Sequence, residues 1–169
     1  MTMADAWFDA YGGQTTDELL GLEGAYRTDS LVLAFEQAIQ QKAEREPISK
    51  EERYVLAVEA LEREVNNGGY GQFFLNSSHD FVDVIEEALV AIRCPKVAAL
   101  TRRAIEALRI PGDVSGAKAE AVILEEDDAV RQALEACDTD YYGNDEPIAD
   151  RLFGWLKDNR ATVRVGGRG

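Results

Sequence analysis

The residues 65–80, with the sequence VNNGGYGQFFLNSSHD, concentrate the residue types that could bind a ligand or catalyse a reaction. His79 is the chain's only histidine, and histidine is the side chain whose ordinary pKa suits a general base near neutral pH. No serine or cysteine nucleophile stands in a recognisable catalytic turn. An enzyme or small-molecule binder that uses Asn67, Gln72 and His79 is therefore the alternative hypothesis, and a surface or helix-capping histidine is the commoner reading.

The glycines of this stretch also resemble a phosphate-binding loop. Such loops lie between a strand and the first turn of a helix, where backbone N–H groups approach the anion. Here the glycines follow a predicted helix, and no Lys-Ser or Lys-Thr pair comes after them. The context therefore argues against a nucleotide site.

A second candidate for chemistry is the segment DTDYYGNDE, which begins like a calcium-binding loop. Asp138, Asp140 and Gly143 occupy loop positions one, three and six. Position five is Tyr142 and position twelve is Ala149, where oxygen ligands are required. The sequence has no Cys/His cluster either, so we predict no metal and no cofactor.

The strongest feature of the composition is its negative charge. The chain has 32 Asp and Glu against 18 Lys and Arg, for a formal charge of −14. Eleven acids lie between residues 120 and 150, and because Arg131 is the one base there, this segment carries −10. The acids are Glu120, Glu125, Glu126, Asp127, Asp128, Glu135, Asp138, Asp140, Asp145, Glu146 and Asp150.

Such a charge has two readings. A run of acids is most often a solvated face. The sharper hypothesis is a surface that imitates the phosphates of DNA and attracts a basic protein. Either way, dense negative charge disfavours direct binding to nucleic acid and to anionic membranes.

Helical periodicity extends over nearly the whole chain, which predicts the elements that must position these residues. Ser49 and Glu52 form a capping box, a signal for the start of a helix. Gly68 and Gly69 should end that helix and let a short one start at a sharp angle. We predict an all-α, single-domain bundle of about seven or eight short helices over residues 1–160, followed by a polar, frayed Gly/Arg tail at 161–169.

The sequence also suggests a compartment. Cys94 and Cys137 are far apart, so two buried free thiols are expected. The first residues lack the basic and apolar regions of a signal peptide, and no apolar run is long enough for a membrane span. A cytoplasmic protein is expected.

One motif resembles a known family. Its residues are Glu64, Asn67, Gly68, Gly69, Tyr70, Gln72, Phe73, Phe74 and Asn76. Together with the later block around Asp140, they resemble the bacterial DNA mimic protein family, first catalogued as a domain of unknown function, over residues 49–157. The resemblance implies an all-α and dimeric protein in which the motif is structural. It further implies a non-enzymatic role in transcription regulation, in which the protein occupies the DNA-binding surface of a basic helix-turn-helix transcription factor.

Two functional hypotheses therefore remain beside this one. An immunity-type module that acts on a toxin would use the same acidic surface and differ only in its partner. The enzyme or small-molecule binder would instead need a concave cleft with convergent polar groups around Asn67, Gln72 and His79.

Overall fold

The structure is a computed structural model that describes residues 6–167, apart from the side chain of Ser78. Within that range it has nine helices and no β-strand, which confirms the all-α prediction. Two of the nine are single turns, which explains the small excess over the predicted number. The helices are α1 Thr16–Leu20, α2 Thr28–Ala43, α3 Lys50–Asn76, α4 Ser78–Phe81, α5 Ile85–Ala91, α6 Pro95–Ala107, α7 Gly116–Leu124, α8 Asp128–Tyr142 and α9 Ile148–Asp158.

The described residues fall into two compact units. The first comprises residues 6–59 and 147–167, and the second comprises residues 60–146. In the first unit α2 packs against α9, and the core includes the fully buried side chains of Phe35, Ile39 and Leu152.

The predicted start of α3 is confirmed at atomic detail. The Glu52 N–H donates to Ser49 Oγ at 3.0 Å, and the Ser49 N–H donates back to the Glu52 carboxylate at 3.3 Å. This reciprocal pair satisfies two N–H groups that the first helical turn leaves without partners. The same carboxylate also accepts from Lys42 Nζ at 2.7 Å, so Glu52 is buried and fully engaged.

The prediction of a frayed tail is wrong for residues 163–165. Val163 and Val165 are buried, and both bind Thr16 of α1. Thr16 Oγ1 donates to the Val163 carbonyl at 2.7 Å and accepts from the Val165 N–H at 2.9 Å. Two apolar residues within a polar segment therefore anchor it to the core of the first unit. The last two residues of the predicted tail, 168 and 169, lie outside the described residues.

In the second unit α6 packs against both α5 and α8, and α4 packs against α7. Pro95 occupies the first turn of α6, where its missing N–H needs no partner. Asp127 is the N-cap of α8 and separates it from α7. Cys94 and Cys137 are buried free thiols, as expected.

Candidate protein-binding surface

The Asn-Gly-Gly segment bends α3 into two arms, residues 50–67 and 70–76. Gly68 has φ −153° and ψ 17°, and Gly69 has φ 79° and ψ −178°. The conformation of Gly69 belongs to a region that only glycine adopts readily. The predicted sharp turn between two helical arms is therefore confirmed.

Asp138 of α8 caps the start of the second arm. The Tyr70 N–H, at the beginning of that arm, donates to Asp138 Oδ1 at 2.7 Å. A Cβ atom on Gly69 would overlap with this carboxylate, since it would lie 2.7 Å from Asp138 Cγ. Burial raises the pKa of Asp138, and the hydrogen bond from Tyr70 opposes that rise.

The aromatic residues of the motif are core residues. Tyr70, Phe73 and Phe74 are fully buried, and the Tyr70 hydroxyl shares a 2.9 Å hydrogen bond with Thr101. The Tyr70 ring meets the edge of Tyr141 at 5.8 Å between centroids. Burial raises the pKa of Tyr70 strongly, so its hydroxyl stays neutral at physiological pH.

The polar residues of the motif bind a carboxylate rather than the helix ends. Gln72 Nε2 donates to Glu64 Oε2 at 2.5 Å, and Asn76 Nδ2 donates to the same oxygen at 3.2 Å. One acceptor, Glu64, therefore takes both side-chain amides. The capping group that the sequence analysis missed is Asp138.

His79 is half-exposed, and its Nε2 lies against Glu120 Oε2. Three pockets, of about 370, 610 and 620 Å³, lie in the described part of the chain, and neither His79 nor Asn67 nor Gln72 lines any of them. No group of three or more His, Cys, Asp or Glu side chains within residues 6–167 could hold a metal ion. Nor does any helix in that range have the length and apolar character to cross a membrane.

Three of the eleven acids of the 120–150 segment cap helices. Asp127 Oδ1 accepts from the Val130 N–H at 3.0 Å, and Asp138 caps the second arm of α3. Glu146 is only 8% exposed and accepts from the first N–H groups of α6, those of Lys96 at 3.1 Å and Val97 at 2.7 Å. These carboxylates stabilise helix starts that would otherwise leave N–H groups unsatisfied.

Four further acids lie beside basic side chains. The contacts are Glu120 with His79, Asp128 with Arg131, Asp140 with Arg103, and Asp145 with Lys96. Arg131 is the one base within the 120–150 segment of the sequence. The fold brings three further basic side chains, those of His79, Lys96 and Arg103, beside acids of this segment. The local charge of the folded surface is therefore less negative than the linear count.

The turn between α7 and α8 carries the densest exposed charge. Glu125, Glu126, Asp127 and Asp128 follow one another there, and all four are exposed. Glu126 has φ 54°, which reverses the chain between the helices. No ion pair joins Glu125 or Glu126 to a base among the described residues. Glu135 lies exposed on α8, 3.9 Å from Arg131.

Asp150 belongs to the first compact unit, in the first turn of α9. The other ten acids of the segment belong to the second unit. The charge that the sequence presents as one run is thus divided between two units of the structure.

Glu62 is a partly buried carboxylate that the sequence analysis did not single out. The Tyr141 hydroxyl donates to Glu62 Oε1, and burial raises the pKa of Glu62 more than this hydrogen bond lowers it. The neighbouring Tyr142 hydroxyl donates to the Val65 carbonyl at 2.7 Å. These two tyrosines connect α8 to the first arm of α3 by hydrogen bonds. The consecutive tyrosines were the one sign of this contact in the sequence.

The comparison with protein families agrees with the resemblance. The model of the DMP19-like protein family matches residues 46–159, which include both arms of α3 and the whole acidic segment. No curated protein and no solved structure matches the chain. The matched region covers well over half of the sequence, and the chain therefore belongs to the DMP19-like protein family.

Proposed function

We propose that the protein is an acidic, non-enzymatic binding module that occupies the DNA-binding surface of a basic protein partner, as a DNA mimic does. The observation that carries this proposal is the α7–α8 turn, where four consecutive carboxylates are exposed. A protein surface that binds DNA is built to receive closely spaced negative charges. Family membership supports the same function.

The contacting set is narrower than the eleven acids of the segment. Glu146 and Asp138 already accept backbone N–H groups, so they belong to the architecture of the fold. The Asn-Gly-Gly motif belongs there too, since its aromatic side chains are buried. We assign partner contact to the turn and to Glu135, whose carboxylates are exposed to solvent, whereas Asp138 is only partly exposed and Glu146 is buried. Asp127 both caps α8 and remains exposed, so it belongs to this contacting set as well as to the fold.

Long-range attraction should dominate the association. Exposed charges are screened beyond about 8–10 Å at physiological ionic strength, so complex formation should weaken as salt is added. Neutralising exposed acids should mainly slow association, because steering acts on the encounter. The family resemblance also implies a homodimer, which sedimentation of the full chain would test.

The test starts with a partner captured on the full chain from its native host and identified by mass spectrometry. The partner is then titrated with its labelled DNA fragment and with this protein, at two salt concentrations. We expect the protein to displace the DNA, with an affinity that falls at the higher salt. A ternary complex, or an affinity that is indifferent to salt, would refute the DNA mimic. Recovery of a toxin instead of a DNA-binding protein would favour the immunity-type module.

Two variants with equal loss of charge sharpen the test. The first replaces Glu125 and Glu126 by Gln and Asp127 and Asp128 by Asn. Asn keeps the cap of α8, because Asn and Asp are equally good N-caps. The control neutralises four exposed acids outside the segment, namely Glu18, Glu44, Glu46 and Asp158. We expect the first variant to associate much more slowly than the control, and equal rates would show that net charge alone matters.

A further inference from the structure

A groove of about 610 Å³ lies in the second compact unit, next to the acidic turn. It is bordered by the second arm of α3, the end of α7 and the first three turns of α8. Its apolar lining consists of Leu75, Val122, Ile123, Leu124, Val130 and Leu134. The groove is therefore an apolar trough on the most acidic part of the unit.

The depth of the groove follows from the burial of its lining. Val130 and Leu134 are buried and form the floor, whereas Leu124 stands at the edge and is 65% exposed. Gly71 borders the groove on the α3 side, where an added Cβ would meet nothing within 4 Å. The exposed Leu124 and the open space at Gly71 leave room for a side chain from another molecule, and aliphatic surface of this kind marks interaction sites.

The border of the groove is strongly negative. Five carboxylates and one guanidinium line it, so four negative charges remain in excess. They are Glu126, Asp127, Asp128, Glu135 and Asp138, against Arg131. A ligand that fills the groove must therefore combine apolar groups with surrounding positive charge.

We propose that this groove docks an amphipathic basic helix of the protein partner, with an apolar stripe in the trough and Lys or Arg side chains on the acidic rim. Helices commonly enter apolar grooves through anchors at positions i, i+3 or i+4 and i+7. The proposal rests on the proposed function, in that both require a basic partner, and it adds an apolar anchor that DNA does not possess. The partner is thus recognised by more than its affinity for phosphates.

A second copy of this chain fits the groove less well. The chain carries −14 overall, so a copy would bring negative charge to a negative rim. A basic helix instead gains electrostatic attraction on approach and buries Leu124 once bound.

The binding test uses three labelled 18-residue model peptides and the full chain, at physiological salt. The first is a helix with a Leu stripe and Lys on its other faces. The second replaces the Leu residues by Ser, and the third replaces the Lys residues by Glu. We expect the Leu/Lys peptide to bind at least about tenfold more tightly than the Ser/Lys peptide, since burying an aliphatic side chain contributes that much or more. The Leu/Glu peptide should not bind. Equal binding of the first two peptides would overturn the proposal.

Three variants locate the binding. Leu124→Ser removes the exposed apolar edge of the groove and should lower the affinity for the Leu/Lys peptide about tenfold. Val90→Ser is the matched control, because Val90 is 58% exposed in the same unit and lies outside the groove. Gly71→Gln should block the groove while preserving the helix, since its added side chain enters open space. An effect of Leu124→Ser no larger than that of Val90→Ser would overturn the proposal.

The same variants separate this proposal from the proposed function. If neutralising the α7–α8 turn slows capture of the partner while Leu124→Ser and Gly71→Gln have no effect, the DNA mimic stands and the groove proposal fails. If the groove variants weaken binding of the partner while DNA, partner and this protein still form a ternary complex, the groove proposal is supported and the DNA-mimic proposal is refuted. A wild-type dimer in sedimentation that Leu124→Ser converts to a monomer would assign the groove to a second copy and overturn the proposal.

Discussion

Gly69 offers the sharpest test of how the motif shapes the fold, because its substitution by Ala adds a single methyl group. Gly69 has φ 79° and ψ −178°, a combination that costs a residue with a Cβ about 1–3 kcal/mol. The added atom would also displace the Asp138 carboxylate, which then releases the Tyr70 N–H. A buried N–H without a partner costs a further 1–3 kcal/mol or so. We therefore expect Gly69→Ala to lower the free energy of unfolding by about 2–6 kcal/mol.

Gly71→Ala is the matched control. Gly71 is helical, and its added Cβ would meet nothing within 4 Å. Since alanine favours a helix over glycine, this change should raise the free energy of unfolding by up to about 1 kcal/mol. The two variants thus add the same atom two residues apart and should have opposite effects.

The assay is urea unfolding followed by far-UV circular dichroism, with midpoints and slopes compared for both variants. Repeating Gly69→Ala in an Asp138→Ala background removes the steric part, so the cost should fall to the backbone strain alone. A Gly69→Ala protein that unfolds like wild type would refute the reasoning about the bend. An equal cost in both backgrounds would refute the contact with Asp138.

Four further variants test carboxylates, three of them singly and one as a pair. Glu146→Ala should cost about 1–3 kcal/mol because two N–H groups of α6 lose their acceptor, whereas Asp145→Ala, at an exposed neighbour, should stay within about 0.5 kcal/mol in urea unfolding. Glu62→Gln should gain stability relative to wild type as pH rises from about 4 to 7 in the same assay. The reason is that the raised pKa of Glu62 makes this group bind more protons in the folded protein than in the unfolded chain above about pH 4, so its contribution to stability falls as pH rises and is missing from the variant. A parallel pH profile would contradict this. Replacing Glu125 and Glu126 together by Gln should slightly raise the urea midpoint, and a lowered midpoint would show that they stabilise the fold.

The helices could be predicted from the sequence because their signals are local. The Ser49–Glu52 capping box, the bend at Gly68–Gly69 and the start of α6 at Pro95 each depend on residues within a few positions. The burial of Val163 and Val165, and their hydrogen bonds with Thr16, could not be predicted in the same way. Their partner, Thr16, lies almost the whole chain away, and a short apolar pattern amid Arg and Gly gives no sign of it.

The helix-capping roles of two acids could not be predicted either, because the groups that they cap are distant in the sequence. Nothing around Glu146 indicates that it caps a helix that starts fifty residues earlier, since its contacts with the N–H groups of Lys96 and Val97 form only in the folded chain. Asp138 likewise caps an arm of α3 that lies 68 positions away. A count of charge along the sequence gives these two residues the same weight as Glu125, although the fold uses them differently.

Helix electrostatics separate the acids of the α7–α8 turn into two kinds. Asp127 and Asp128 stand at the start of α8, where the helix dipole favours negative charge, so the stability of α8 accounts for both. Glu125 and Glu126 stand at the end of α7, where the same dipole disfavours negative charge. Glu126 adds a left-handed backbone conformation that a glycine would adopt with less strain. Neither glutamate is therefore explained by the needs of the fold. Glu126 lies at the rim of the apolar groove, and Glu125 precedes it in the chain. Exposed charges that local stability opposes, beside such a groove, suit a surface that binds a basic partner.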